Sequence, residues 1–188
     1  MIIFLAGAHG VGKTYLATRT AARFGLRNVT ASQLIREELG RPNWTQDRRV
    51  QDVDANQEAL IAAVKRSLGA SEQLLLDGHF VLRGPHGELL RLDLTVFSQL
   101  GISATVLVEA PHQVVAERLA QRGAPVVDLV HIQVLAAAER EHARRVCSAL
   151  RVPITSLMSP TEEEFAQAIE MVLSQVRSGL GQAYSGES

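Results

Sequence analysis

The sequence has 188 residues, of which 46% are hydrophobic and 21% charged, a composition that fits one compact globular domain and argues against a disordered chain. The formal net charge of −1 gives no electrostatic basis for general nucleic-acid binding, and the single cysteine excludes an intrachain disulfide and a multi-cysteine zinc cluster. Because the apolar runs are short and no basic leader opens the chain, we expect a cytoplasmic protein without a membrane partner.

The predicted elements alternate between strands and helices along the chain. Strands are expected at residues 2–6, 28–30, 73–77, 103–108 and 153–157. Helices are expected at residues 13–24, 31–39, 47–68, 93–100, 111–123, 126–149 and 160–176, with a loop or small hairpin over 78–92. This alternation predicts an α/β/α sandwich around a five-stranded parallel sheet, in a single domain over residues 1–178 with a flexible tail over 179–188.

A glycine-rich segment, the phosphate loop, follows the first strand and opens the first helix. Residues Gly7-Ala8-His9-Gly10-Val11-Gly12-Lys13-Thr14 match the pattern G-x-x-x-x-G-K-[ST], and Tyr15 comes next. Glycines let backbone N–H groups turn inward around a phosphate, and the helix N-terminus adds partial positive charge. Lys13 supplies a charge for the β- and γ-phosphates and Thr14 a hydroxyl for Mg²⁺. Residues 7–15 are therefore predicted to bind ATP with Mg²⁺ as cofactor.

Two polar residues follow the apolar run of the third predicted strand. Asp77 closes that strand and is a candidate to hold the Mg²⁺ shell beside Thr14. His79 comes two residues later and is a candidate to position a nucleophile or to transfer a proton, since the carboxyl ends of parallel strands meet at one sheet edge. A structural role stays open for each, as a turn-forming aspartate or as a histidine that only makes hydrogen bonds.

Three arginines are candidates for the mobile cations that a phosphotransferase needs besides the loop lysine. Arg118 and Arg122 are four residues apart, on one face at the end of a predicted helix, from which both can close over a bound triphosphate. Arg36 lies on the helix after the second strand, where an acceptor phosphate can dock bidentately. The alternative for all three is an ordinary solvated helix surface.

Other charged or reactive side chains are interpreted as structural. Glu109 ends a strand ahead of Pro111 and is expected to form a turn or a cap rather than to bind a metal. The cluster of Arg140, Arg144 and Arg145 is interpreted as a solvated helix face, and Cys147 as part of the packed face of the same helix.

The combination of motifs resembles the P-loop nucleoside monophosphate kinase superfamily. It is similar in particular to the compact adenylate-kinase-like branch, which includes archaeal-type adenylate kinases and the eukaryotic nuclear adenylate kinase/ATPase. The segments that carry the resemblance follow in family order and are residues 7–14, 28–38, 75–79 and 117–123. The sequence is also similar to bacterial proteins described only as P-loop or AAA-family ATPases, in which His-Gly-Val-Gly-Lys-Thr and Asp-Gly-His-Phe recur.

The resemblance implies a P-loop NTPase fold with sheet order 2-3-1-4-5, an acceptor-side helical flap over about residues 31–69 and a short lid over about 118–128. It also implies that the donor phosphates and Mg²⁺ are carried by Gly10, Gly12, Lys13 and Thr14. Arg36 would contact the acceptor phosphate, and Arg118 and Arg122 would be lid cations. Asp77 and His79 match the aspartate-x-histidine segment of the family.

We therefore expect an ATP-binding, adenylate-kinase-like phosphotransferase that moves the γ-phosphate of ATP to a nucleoside monophosphate or similar small acceptor. The acceptor segment reads Asp77-Gly78-His79-Phe80-Val81 in place of the Asp-Gly-Phe-Pro-Arg signature of long adenylate kinases, so AMP is not singled out. A short lid excludes water incompletely, which makes a slow ATPase that switches a protein partner the alternative. A small-molecule kinase of the shikimate or gluconate type is a third hypothesis.

Overall fold

The structure, a computed structural model, describes residues 1–40, 53–68, 73–84, 86–123 and 128–184. The strands in this part of the chain are β1 (Ile2–Ala6), β2 (Arg27–Thr30), β3 (Leu74–Asp77), β4 (Val81–Arg83), β5 (Leu89–Arg91), β6 (Ile102–Glu109) and β7 (Ile154–Met158). The helices are α1 (Lys13–Thr20), α2 (Ala31–Glu38), α3 (Val53–Ser67), α4 (Leu94–Leu100), α5 (His112–Gln121), α6 (Leu129–Leu150) and α7 (Glu162–Tyr184), with a 3-10 turn at Ala21–Phe24.

The main sheet is parallel and has the order β2-β3-β1-β6-β7 among the described strands. This is the order 2-3-1-4-5 once the hairpin strands β4 and β5 are left out of the count, and the predicted α/β fold is confirmed. Every residue of β1 is buried, because helices cover both faces of the sheet. Leu5 of β1 pairs with Asp77 of β3, so the two strands end at the same edge, next to the loop that leads into α1.

Two apolar cores form, one on each face of the sheet, because successive side chains of a strand point to opposite faces. Ile2 and Phe4 of β1 belong to the core covered by α2, α3 and α4, whereas Ile3 and Leu5 belong to the core covered by α1, α5 and α7. In the first core the ring of Phe80 lies 5.0 Å from that of Phe4 and 4.4 Å from that of Phe97. This aromatic cluster fixes the chain immediately after His79.

Several local predictions are confirmed, and the largest difference in a boundary is at the end of the last helix. Thr30 caps α2 by accepting a hydrogen bond from the Gln33 N–H at 3.1 Å, and residues 78–92 contain the hairpin β4–β5. Helix α7 continues to Tyr184, past the predicted end at 176 and the predicted tail boundary at 179, since no proline interrupts this stretch. Parts of the predicted flap (41–52) and lid (124–127) lie outside the described residues. No helix in the described ranges is long and apolar enough to cross a membrane.

Cys147 provides a test of the packing of α6 against the sheet. Its side chain is 1% exposed and donates to the Thr105 hydroxyl at 3.3 Å, and burial raises the pKa of the thiol. Because the thiolate is the reactive form, we expect the native protein to react with a thiol reagent at neutral pH only as fast as it unfolds. The same protein in denaturant should react at once. Rapid labelling without denaturant would contradict the buried position.

Candidate functional site

The phosphate loop adopts the backbone conformation that its glycines predict. Gly7, Gly10 and Gly12 have φ angles of +138°, +88° and +109°, a region that other residues rarely enter. Lys13 directly follows Gly12 and is the first residue of α1, so the unpaired N–H groups of the first helical turn open onto the loop. A loop of this kind at a helix N-terminus is an anion-binding concavity.

Lys13, Thr14 and Asp77 form a compact polar cluster at the shared end of β1 and β3. The Lys13 side chain is 6% exposed, and its ammonium donates to the Gly7 carbonyl and lies 3.6 Å from Asp77 Oδ1. Thr14 Oγ1 donates to Asp77 Oδ2 at 3.0 Å. Burial lowers the pKa of Lys13, and the negative charge of Asp77 opposes that shift. The hydroxyl and carboxylate oxygens are ligands of the type that Mg²⁺ prefers, so this donor set fits the ion.

His79 lies beside the phosphate loop and contacts a second histidine. Its ring centroid is 4.2 Å from that of His9, and its Nδ1 atom is 3.9 Å from Glu139 Oε1. Burial and the charge of Lys13 lower the pKa of His79 well below its usual value of 6.5. The imidazole is therefore neutral at neutral pH, and it can donate one hydrogen bond and accept another.

Glu139 of α6 is part of the site, although the sequence analysis did not select it. The side chain is 1% exposed, and its carboxylate accepts hydrogen bonds from the N–H groups of Gly7 (3.2 Å), Phe80 (3.0 Å) and Val81 (2.7 Å). Burial raises the pKa of Glu139, while these N–H donors and Lys13 oppose the shift. The sequence signal that could have identified Glu139 is its place in the apolar stripe of α6, seven residues after Ile132.

The three predicted arginines have different surroundings. Arg118 Nη1 donates to the carbonyl oxygens of Val11 at 2.8 Å and Gly10 at 3.4 Å, which brings this side chain against the phosphate loop. Arg122 is exposed at the end of α5. Arg36 is half-buried on α2 and donates from Nε to the Ser32 carbonyl of its own helix at 3.2 Å. Among the described contacts, only Arg118 of these three joins the loop cluster.

Tyr15 and Arg140 each contact a residue outside the phosphate loop. The Tyr15 hydroxyl donates to Glu162 at the start of α7, so this contact joins α1 to α7 rather than reaching into the loop. Arg140 is not part of a solvated face, because its Nε donates to Glu109 Oε1 at 2.6 Å in a half-buried ion pair. The pair forms because β6 ends next to α6, and it leaves Arg144 and Arg145 exposed as predicted.

A family model described as an AAA domain matches residues 6–133, which is more than half of the chain. The chain belongs to this AAA-domain family. The matched stretch begins at the end of β1 and includes the phosphate loop, Asp77, His79 and Arg118, so these parts of the site lie within the AAA domain.

The curated relatives of this AAA-domain chain include a kinase. It is 28% identical over 128 residues to an adenylate kinase from Pyrococcus abyssi (strain GE5 / Orsay), a match that spans 63% of this chain and 64% of the relative. The chain thus covers less than two thirds of the length of that relative.

Two solved structures have a similar fold. A gluconokinase from Sinorhizobium meliloti 1021 superposes with a TM-score of 0.54 at 16% identity, over 100% of this chain and 97% of that one. A shikimate kinase from Acinetobacter baumannii in complex with shikimate superposes with a TM-score of 0.60 at 16% identity, over 93% of both chains. At this level of identity the likeness establishes that the AAA-domain chain has the fold of these kinases.

Proposed function

We propose that this AAA-domain chain is an ATP- and Mg²⁺-dependent phosphotransferase that moves the γ-phosphate of ATP to a nucleoside monophosphate or similar small acceptor. The observation that carries the proposal is the cluster that the buried Lys13 and Asp77 form with the hydroxyl of the exposed Thr14 beside the anion-binding loop. The kinase names of the sequence relative and of the two similar structures support a kinase rather than an ATPase that only switches a partner.

On the donor side, backbone N–H groups of the phosphate loop would hold the phosphates, and Lys13 would leave the Gly7 carbonyl to contact the β- and γ-phosphates. Thr14 and Asp77 would hold Mg²⁺, which when bound supplies positive charge to the phosphate oxygens. Arg118 already contacts loop carbonyls and would need only to rotate its guanidinium to reach a phosphate oxygen. Positioning and charge neutralisation then provide most of the catalysis.

On the acceptor side, His79 is proposed to orient the attacking hydroxyl or phosphate oxygen, since its neutral imidazole lies between the loop and the start of β4. Arg36 is proposed to bind the acceptor phosphate from the flap at about residues 31–69. Arg122 is proposed to close over the donor from the lid at about residues 118–128. Both roles require these side chains to move toward the loop, as closing flaps and lids do in other kinases.

The test is an acceptor panel with purified protein, ATP and Mg²⁺. AMP, CMP, UMP, GMP, the deoxynucleoside monophosphates, gluconate and shikimate are added separately, and ADP, phosphorylated acceptor and free phosphate are quantified. We expect one acceptor class to yield phosphorylated product equal in amount to the ATP consumed; with AMP that product is itself ADP, so two ADP would form for each ATP. Free phosphate equal to ADP with every acceptor would instead identify an ATPase.

A further inference from the structure

The carboxylate of Glu139 connects three parts of the chain that are far apart in sequence. It belongs to α6, and its hydrogen-bond donors are the Gly7 N–H at the start of the phosphate loop and the N–H groups of Phe80 and Val81 at the start of β4. These donors follow the two neighbouring strands β1 and β3. One side chain therefore accepts hydrogen bonds from the backbone on the ATP-binding side of the site and from the backbone on the side proposed to bind the phosphate acceptor.

Packing alone does not account for a glutamate at this position. Its neighbours at helical spacing along the buried face of α6 include Ile132, Ala143 and Val146, so an apolar side chain would fit the stripe. A buried carboxylate destabilises the folded state unless its hydrogen bonds and charge partners compensate. Here the compensation comes from the three N–H groups and from the nearby charge of Lys13.

The structure leaves room for the loop to shift if this connection is lost. A cavity of about 130 Å³ lies between the phosphate loop, the β6–α5 connection and α6, and its walls include Gly7, Val11, Glu139 and Arg140. Atoms that line this cavity lack packing partners on the empty side, although Gly7 is closely packed against Val108 on the other side. The hydrogen bond from Gly7 to Glu139 spans this side of the loop and restrains it.

We propose that Glu139 is a positioning residue that joins α6 to both sides of the site, the phosphate loop at Gly7 and the segment that carries His79. Through this connection, phosphate binding in the loop restrains the start of β4. His79 is thereby held in a fixed position relative to the bound ATP. The effect of Glu139 on the reaction rests on the proposed phosphotransferase function, whereas the restraint on the start of β4 requires only that ATP binds.

The test compares wild type with Glu139→Gln, which keeps the size of the side chain but removes its charge and replaces one acceptor oxygen by an NH₂ group, which only donates. Glu141→Gln is the matched control, since Glu141 is an exposed glutamate on the same helix that pairs with Arg91 at 3.8 Å. Amide hydrogen exchange at Phe80 and Val81 is measured with and without ATP and Mg²⁺. We expect ATP to slow this exchange in wild type and in the control, but not in Glu139→Gln.

Steady-state kinetics provide the second measurement, with rates corrected for the folded fraction of each variant. We expect Glu139→Gln to lower kcat about tenfold or more while the KM for ATP changes less than about threefold, because misalignment acts on the reaction more than on phosphate binding. A merely structural role would instead reduce the folded fraction and leave corrected kcat unchanged.

The outcomes separate this inference from the proposed function. If ATP binds but no acceptor is phosphorylated, the phosphotransferase proposal fails, and the exchange measurement still decides the connection through Glu139. No ATP-dependent change at Phe80 and Val81 in wild type, or an equal change in Glu139→Gln, would overturn the inference. So would an unchanged corrected kcat in an active Glu139→Gln enzyme.

Discussion

Replacement of Lys13 by methionine is expected to lower the phosphotransfer rate about 1,000-fold while the fold is retained. Among the buried residues that the structure describes, Lys13 carries the one ammonium at the phosphate loop, and methionine keeps the length of its aliphatic stem. Burial lowers the pKa of Lys13 and so disfavours its charged form, but the buried Asp77 and Glu139 carboxylates lose a charge partner, so we expect a lower melting temperature with the fold retained. Asp77 keeps its hydrogen bond from Thr14.

The effect of Lys13→Met is measured as kcat in the acceptor assay and as the melting temperature of each protein. Lys65→Met is the control, because Lys65 is the other lysine of the chain and is exposed on α3. We expect the control to match wild type in both measurements. If the Lys13→Met protein retained more than about one tenth of wild-type kcat, Lys13 would not have the proposed role in phosphotransfer.

Replacement of Gly7 by alanine is expected to destabilise the protein by about 3 kcal/mol or more. The φ angle of Gly7 is +138°, and a Cβ atom there would lie 2.1 Å from the Val108 carbonyl oxygen of β6. That oxygen belongs to the backbone of a buried strand, so it has little freedom to move away. Movement of the Gly7 backbone away from Val108 would also weaken the hydrogen bond that the Gly7 N–H donates to Glu139.

The comparison for Gly7→Ala is Gly101→Ala, measured by urea denaturation in the same buffer. Gly101 also has a positive φ, +65°, but no atom lies within 4 Å of the added Cβ. The control therefore carries only the conformational cost of the left-handed region, about 1 kcal/mol. Equal losses of unfolding free energy in the two variants would mean that β6 does not approach the loop as closely as described.

The parts of the site that follow from the sequence are those set by local patterns. The phosphate loop is one continuous motif, and Asp77 is predicted because it ends an apolar run, which the structure places beside β1. The fold followed from the alternation of buried strands and helices, which fixes a parallel sheet and leaves few arrangements of its strands.

The remaining contacts depend on how helices pack, which a pattern along the chain does not specify. Glu139 reaches Gly7 from 132 residues away in sequence, and only the rotation of α6 about its axis determines that contact. Arg140, the next residue, turns toward Glu109 for the same reason. Arg118 was selected as a lid cation, but its contact with Val11 depends on α5 packing against the loop.

The most direct test of the proposed function follows the γ-phosphate itself. ATP labelled in the γ position is incubated with Mg²⁺, the acceptor panel and either wild-type protein or Lys13→Met. The proposed function predicts that wild type transfers the label to an acceptor, and that Lys13→Met transfers about 1,000-fold less in the same time. Label that appears only as free phosphate, or at the same rate in both proteins, would contradict it.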